Sequence, residues 1–219
     1  LEIPVYQDIL EENDIIARNN NDLFRKHSVL AVNLMASPGA GKTTLLERTI
    51  EFLGPSMRLG VIEGDLATNL DQERIRKRGV PVAQINTGSG CHLSADMIRE
   101  ALEEIPLPGM DILFIENVGN LVCPAEFRLG EALRIVLASV PEGDEKPVKY
   151  PLMFREADSV VLNKTDLLPH VPFDLEAFVR NLYSIRAEIP FFPLSCLTKE
   201  GLSAWLEWLK RQRDLARRA

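Results

Sequence analysis

The chain holds few cysteines: Cys91, Cys123 and Cys196, an odd number at spacings that fit no disulfide framework. A reduced, cytoplasmic setting is the expectation. No apolar run reaches the roughly 18 residues needed to cross a bilayer, and the acid- and amide-rich start does not read as a signal peptide. No membrane partner is therefore expected. Positive charge is in deficit, with 25 Lys and Arg against 32 Asp and Glu, a net charge of -7. That argues against a nucleic-acid partner, which needs a basic surface. It leaves room for a local phosphate cradle. Histidine is scarce as well, and His27 and His170 stand alone with no assignment. Internal repeats and low-complexity tracts are absent.

What remains is an ordinary globular balance, 46% hydrophobic and 26% charged over 219 residues, enough for one sizeable domain. Residues 1–27 read as a mostly helical lead-in ending in the polar run Asn19-Asn20-Asn21-Asp22. Residues 28–219 read as the main domain. Strands are predicted at Val29–Met35, Arg58–Glu63, Pro81–Asn86, Asp111–Glu116, Leu133–Val140, Ser159–Asn163 and Phe191–Leu194. Helices are predicted up to Leu53, over Leu70–Arg78 and Leu93–Glu104, from the cap Asp174 to Glu188, and over Gly201–Arg218. The last carries an apolar stripe of Leu202, Trp205, Leu206 and Leu209. Segment 141–151 reads as a mobile surface loop. Short apolar strands alternating with helices imply an α/β fold, a mostly parallel sheet flanked by helices on both faces. Ligands in such folds sit at the carboxyl ends of the strands.

The segment Ala36-Ser37-Pro38-Gly39-Ala40-Gly41-Lys42-Thr43-Thr44 fits a P-loop following a strand and opening a helix. Gly39 and Gly41 let the backbone turn its N–H groups inward, with Ala40 between them. The helix start adds partial positive charge, shared by Thr44 in the first turn. Lys42 can reach the β- and γ-phosphates, and the Thr43 hydroxyl can ligate Mg²⁺. Ala36 replaces the commoner glycine, so its Cβ must be kept clear of the phosphates.

Asn163-Lys164-Thr165-Asp166 follows another strand. The Asp166 carboxylate can accept from guanine N1–H and the 2-amino group, and adenine would leave it unpaired. Asn163 can hold the loop or the base N7, and the Lys164 stem can cover the base. Ser195-Cys196-Leu197 is the expected place for a backbone contact to guanine O6. GTP or GDP is thus the expected nucleotide.

Asp65 and Glu116 both end buried strands beside the phosphate loop. Either can bind Mg²⁺ or orient the attacking water. Asp71 is a further candidate for the water. Gly119 suits a backbone N–H that senses the γ-phosphate. Asn120 stands where a water-orienting glutamine would be, so slow intrinsic hydrolysis is expected.

Cys91-His92 and Cys123 lie in loops leaving neighbouring strands. Thiolate and imidazole suit Zn²⁺ and Ni²⁺ alike. Three such groups fall one short of a closed tetrahedral shell, which water or a second subunit could complete. Free cysteines are also commonly just small buried apolar residues. Cys196 is read as serving its own loop.

These residues together resemble the hydrogenase nickel-incorporation GTPase family (HypB). The resemblance is carried by Asn33-Leu34-Met35, Glu63-Gly64-Asp65, Gln84-Ile85-Asn86-Thr87-Gly88, Cys91-His92-Leu93, the run Glu116 to Pro124, Asn163 to Asp166, and Lys199-Glu200-Gly201-Leu202. It implies a GTPase that assists nickel insertion into the large subunit of NiFe-hydrogenase, working with other maturation proteins. It implies a homodimer favoured by GTP, with a metal site between subunits built from Cys91, His92 and Cys123. Urease accessory GTPases share the nucleotide motifs but differ around Asn117 to Pro124. Many family members carry an N-terminal cysteine motif or histidine-rich tract. Residues 1–27 hold only His27, so a nickel-storage role is not expected. Two other functions stay open: a metal-binding scaffold with a structural nucleotide, and nickel delivery to another enzyme such as urease.

Overall fold

A computed structural model describes residues 5–65, 70–88 and 90–218, without the side chains of residues 5–7, 65 and 70–72. Seven strands form one parallel sheet: β1 (Leu30–Ala36), β2 (Leu59–Asp65), β3 (Val82–Asn86), β4 (Ile112–Glu116), β5 (Leu133–Ser139), β6 (Ser159–Asn163) and β7 (Phe191–Pro193). Their order is β3-β2-β4-β1-β5-β6-β7, and every pairing is parallel. The helices are α1 (Val5–Lys26), α2 (Lys42–Leu53), α3 (Leu70–Arg76), α4 (Ala95–Ala101), α5 (Lys146–Lys149), α6 (Pro151–Arg155), α7 (Leu175–Ile185) and α8 (Leu202–Ala216). Among the described residues no helix is long and apolar enough to cross a membrane.

The two-residue period of a strand sorts β1 between the two faces. Leu30, Val32, Leu34 and Ala36 pack with Leu45, Leu46 and Ile50 of α2 and with Trp205 and Leu209 of α8. On the other face, Ala31 joins Phe24 of α1 and Ile98 of α4, and Met35 joins Phe154 of α6 and Phe178 of α7. The predicted stripe on α8 is buried throughout. Asp174 caps α7, its carboxylate accepting from Ala177 N–H at 2.9 Å.

Two local expectations need correction. The helix α1 does not end at the asparagine run; it continues to Lys26. Asn13 and Asn20 lie seven residues apart, on one helix face, and both are buried. Asn13 accepts from Ala95 N–H at 2.8 Å, an otherwise orphan donor of the first turn of α4. Asn20 donates to Ala95 O at 2.8 Å and Leu129 O at 3.1 Å. Their polarity serves an interface. Segment 141–151 is likewise no irregular loop. Ser139 and Glu142 form a reciprocal capping box over a 3-10 turn at Val140–Glu142. Helices α5 and α6 follow at once, each with a proline in its first turn, where the missing N–H costs nothing. Lys146 ties α5 back to Glu142 at 3.2 Å.

Candidate functional site

The loop after β1 and the ends of β2 and β4 enclose a cleft of about 460 Å³, lined by Gly39, Gly41, Lys42, Thr43, Thr44, Glu63, Arg74, Glu116, Gly119 and Lys164 among others. Gly41 precedes α2 with φ of +103°. A Cβ there would collide with the Asn163 amide, so glycine is required by conformation and by space. Ala36 needs no such freedom. It closes β1 and is fully buried in the core, so its Cβ points away from the cleft. Lys42 and Thr43 open α2 and are largely buried. Thr43 donates its hydroxyl to the Glu116 carboxylate at 2.9 Å. That pairs two hard oxygen donors at the floor of the cleft, a donor set that suits Mg²⁺. Gly119 lies against the loop: a Cβ would stand 3.0 Å from Pro38 Cγ. The roles read for the Asp65 and Asp71 carboxylates fall on side chains outside the described set.

The second loop is tied to the first. Asn163 donates to Ala40 O at 3.0 Å and accepts from Cys196 N–H at 3.1 Å. Of its two expected uses, it holds the loop. Lys164 adopts φ of +61°, and its ammonium donates to Gly39 O at 2.7 Å. That stretches the apolar stem alongside the cleft. Ser195 donates to Asp166 Oδ1 at 2.5 Å and accepts from Leu197 and Thr198 N–H at 3.2 and 3.1 Å. Arg48 props the loop by donating to Cys196 O at 2.9 Å. It also meets Glu51, whose carboxyl is pushed down to about 2 by Lys199 first and Arg48 second. Cys196 is buried, and burial pushes its thiol up to about 12. It is a small packing residue of the loop.

At the flank of the cleft the ligand atoms of Cys91, His92 and Cys123 lie within 4.8 Å of one another. The two Sγ atoms are 2.8 Å apart, and Cys91 Sγ is 3.6 Å from His92 Nδ1. The shared hydrogen bond with Cys123, then burial, raises the Cys91 thiol above its ordinary range. Such a pair holds a proton that a soft cation can replace. Burial lowers the His92 imidazole, with Glu126 opposing. That favours the neutral ring, the form that binds metals. The ring stacks on Phe127 with centroids 3.8 Å apart. This donor set fits Zn²⁺ or Ni²⁺. Asn120 bridges the two loops, donating to Cys91 O at 3.2 Å and accepting from Val122 N–H at 2.9 Å.

The sequence assigns no site role to several residues that the structure places here. Arg74 lines the cleft and pairs with Glu47 at 2.6 Å; nothing in its pattern distinguishes it from a solvated helix charge. Buried Glu63, two residues before Asp65, also lines the cleft. Lys146 donates to Ser37 of the phosphate loop at 3.1 Å. Asn33 and Arg134 are buried within strands. A polar residue inside an otherwise apolar strand does carry a signal, because it must find a partner.

Comparison with known proteins agrees with this geometry. Residues 30–193 match the model of the CobW/HypB/UreG nucleotide-binding domain. The chain is 51% identical over 219 residues to the hydrogenase maturation factor HypB of Azotobacter chroococcum mcd 1, covering 99% of this chain and 71% of that protein. It is 42% identical to the hydrogenase/urease maturation factor HypB of Helicobacter hepaticus, covering 96% of this chain and 88% of that one. The crystal structure of HypB from Helicobacter pylori in complex with nickel superposes with a TM-score of 0.88 at 41% identity, covering 93% of this chain and 95% of that one. With a parallel sheet, a glycine-shaped phosphate cleft and a thiol–imidazole group beside it, the chain belongs to the CobW/HypB/UreG family and, within it, to the HypB hydrogenase maturation factors.

Proposed function

We propose that this protein is a GTP-binding and GTP-hydrolysing metallochaperone that assists nickel insertion during NiFe-hydrogenase maturation. The observation that carries the reading is the Cys91–His92–Cys123 group standing on loops that leave the same strand edge as the phosphate cleft. In this reading the phosphates lie over Gly39 to Thr44, and Lys42 offsets the charge that develops on the transferred group. Thr43 and Glu116, with Asp65 in support, would hold Mg²⁺, which would supply charge neutralisation at the phosphates. Asp166 reads guanine, with Ser195, Cys196 and Leu197 beside the base.

Slow intrinsic turnover is supported by Asn120. Its carboxamide is already engaged with Cys91 O and Val122 N–H and is not set to orient water. Asp71 is the remaining candidate for that task. A homodimer would bring a second set of thiols and imidazoles to complete the metal shell. The partners in this reading are the hydrogenase large subunit and other maturation proteins, in a cytoplasmic setting. Residues 1–27 act as a helical lead-in to the GTPase domain of residues 28–219.

The test is Ni²⁺ and Zn²⁺ affinity measured with a GTP analogue, with GDP and without nucleotide, beside GTP turnover of the wild type and Lys42→Ala. Different affinities and a turnover lost in Lys42→Ala support the reading. Equal affinities in all three states remove the link between nucleotide and metal. Turnover that persists in Lys42→Ala removes the proposed GTPase. A second client, a urease-type nickel enzyme, is favoured by the name of the Helicobacter hepaticus relative. Nickel transfer to both apo-enzymes in parallel separates the two.

A further inference from the structure

A buried chain of hydrogen bonds runs from the nucleotide cleft to the supports of the thiol–imidazole group. It begins at Asn117, which is 1% exposed and follows Glu116, the acceptor for Thr43. The Asn117 carboxamide oxygen accepts from Val118 N–H at 3.0 Å and Leu93 N–H at 3.3 Å. One atom therefore joins the residue after His92 to the segment leading to Gly119. The Asn117 amide donates to Asn33 Oδ1 at 3.3 Å, and Asn33 donates to Glu131 Oε1 at 3.2 Å. Glu131 pairs with Arg134 at 2.6 Å, with both side chains 1% exposed. The two terminal nitrogens of Arg134 donate to Ala125 O and Phe127 O, each at 2.8 Å. Ala125 ends the single turn that starts at Cys123, and the Phe127 ring stacks on His92.

A loop that needs only support can rest on apolar packing, which often stabilises as well as a buried ion pair does. Here four polar side chains are buried in series instead, and they link two functional loops. Breaking one buried hydrogen bond leaves both partners unsatisfied, so a packed polar chain of this kind favours discrete arrangements in which every partner is satisfied. A γ-phosphate bound over the Gly39–Thr44 loop that shifts Val118 and Gly119 would act on the oxygen that also holds Leu93.

We propose that Asn117, Asn33 and Arg134 are positioning residues that transmit the state of the nucleotide to the Cys91–His92–Cys123 group. The inference rests on the functional reading above.

The experiment titrates Zn²⁺, and separately Ni²⁺, against a chromophoric chelator. The wild type, Asn117→Ala, Asn33→Ala and Asn120→Ala are each saturated with Mg²⁺ and either GDP or a non-hydrolysable GTP analogue. The quantity read is the ratio of metal affinities between the two nucleotide states. In Asn117→Ala and Asn33→Ala the ratio is expected to fall to within about twofold of one. In Asn120→Ala, which touches the loops outside the buried chain, affinity is expected to fall equally in both states and leave the ratio intact. A purely structural role would lower affinity equally in both states in every variant. Wild-type coupling that survives in folded Asn117→Ala and Asn33→Ala overturns the inference alone. A wild-type ratio of one overturns the functional coupling and the inference with it.

Hydrogen exchange on the wild-type chain keeps the test independent of variant folding. Protection at the Leu93, Val118 and Leu129 amides should change together between the two nucleotide states. The Leu129 amide donates to Glu131 at 2.7 Å. No change at Leu129 when Val118 responds also overturns the inference.

Discussion

The Thr43 hydroxyl and the Glu116 carboxylate meet at 2.9 Å, joining the first turn of α2 to the end of β4. This contact brings an oxygen from the phosphate loop beside an acid from the neighbouring strand, the arrangement a hard divalent cation requires. Glu116→Gln keeps the shape and the hydrogen-bond acceptor but removes the charge. The expected result is Mg²⁺ affinity of the GDP complex lower by about tenfold, close to the loss of one charge-assisted contact. Metal-free GDP binding should change little. Titration of Mg²⁺ into the fluorescent-GDP complex checks this, and an unchanged Mg²⁺ affinity would remove Glu116 from the site.

Asp166 owes its orientation to Ser195, which donates to one of its oxygens at 2.5 Å and gathers two backbone N–H groups behind it. In Asp166→Asn one acceptor becomes a donor. Guanine then meets an amide N–H where it needs an oxygen, and xanthine, with a carbonyl in place of the 2-amino group, fits instead. GDP affinity is expected to drop by roughly a hundredfold or more and xanthosine diphosphate to gain, since unpaired buried donors discriminate strongly. Competition between the two nucleotides reads the switch. Retained guanine preference would place base recognition elsewhere.

The three cysteines should respond differently to alkylation. Cys91 is at the surface, Cys123 is half-buried and Cys196 is buried, with the Cys196 thiol pushed up to about 12 by burial. A thiol whose pKa is raised stays protonated and unreactive as pH climbs toward that value. At pH 8, iodoacetamide should reach the exposed Cys91 and the half-buried Cys123 within the native chain, slowly at Cys91 because its thiol is also raised, and Cys196 only after unfolding. Stoichiometric Ni²⁺ or Zn²⁺ should protect the first two and leave Cys196 unaffected. Peptide mass mapping gives the pattern. Labelling of Cys91 and Cys123 that metal does not slow would count against them as ligands.

The sheet was legible because parallel strands covered on both faces are written as continuous apolar runs, and Leu30–Ala36 and Ile112–Glu116 are fully buried, as such runs require. The phosphate loop was legible because Gly41 has no substitute at its φ and spacing. Helix ends were less so: α4 spans only Ala95–Ala101 against the expected Leu93–Glu104, since apolar periodicity continues into turns that no longer carry the full helical ladder. The segment from Pro141 to Pro151 reads as a loop because its composition is polar and proline-flanked, whereas its order comes from the Ser139–Glu142 box and from Lys146 reaching Ser37. Neither contact is visible in composition. The buried chain joins Asn33 to Glu131, 98 positions away, and no local pattern pairs those two.

Asp111 lies at the amino end of β4, the opposite end of that strand from the phosphate cleft. It accepts from Arg58 N–H at 2.8 Å and pairs with Arg213 at 2.8 Å and Arg217 at 2.6 Å, cations near the end of α8, where the helix dipole favours them. Its side chain is 8% exposed, those of Arg213 and Arg217 16% and 47%. Asp111→Ala removes one of two acidic partners of the half-buried Arg213, which keeps Asp214 at 2.9 Å, and leaves the Arg58 N–H without its acceptor, so a loss of about 1–3 kcal/mol is expected. Arg217→Ala removes a half-exposed partner and should cost about 1 kcal/mol or less. Urea unfolding of the two variants, with slopes equal to that of the wild type, would show the contrast. GDP affinity should stay unchanged in both, because Asp111 precedes β4 and the cleft lies beyond that strand's other end. Equal losses for the two variants would mean that α8 is held by its apolar stripe alone.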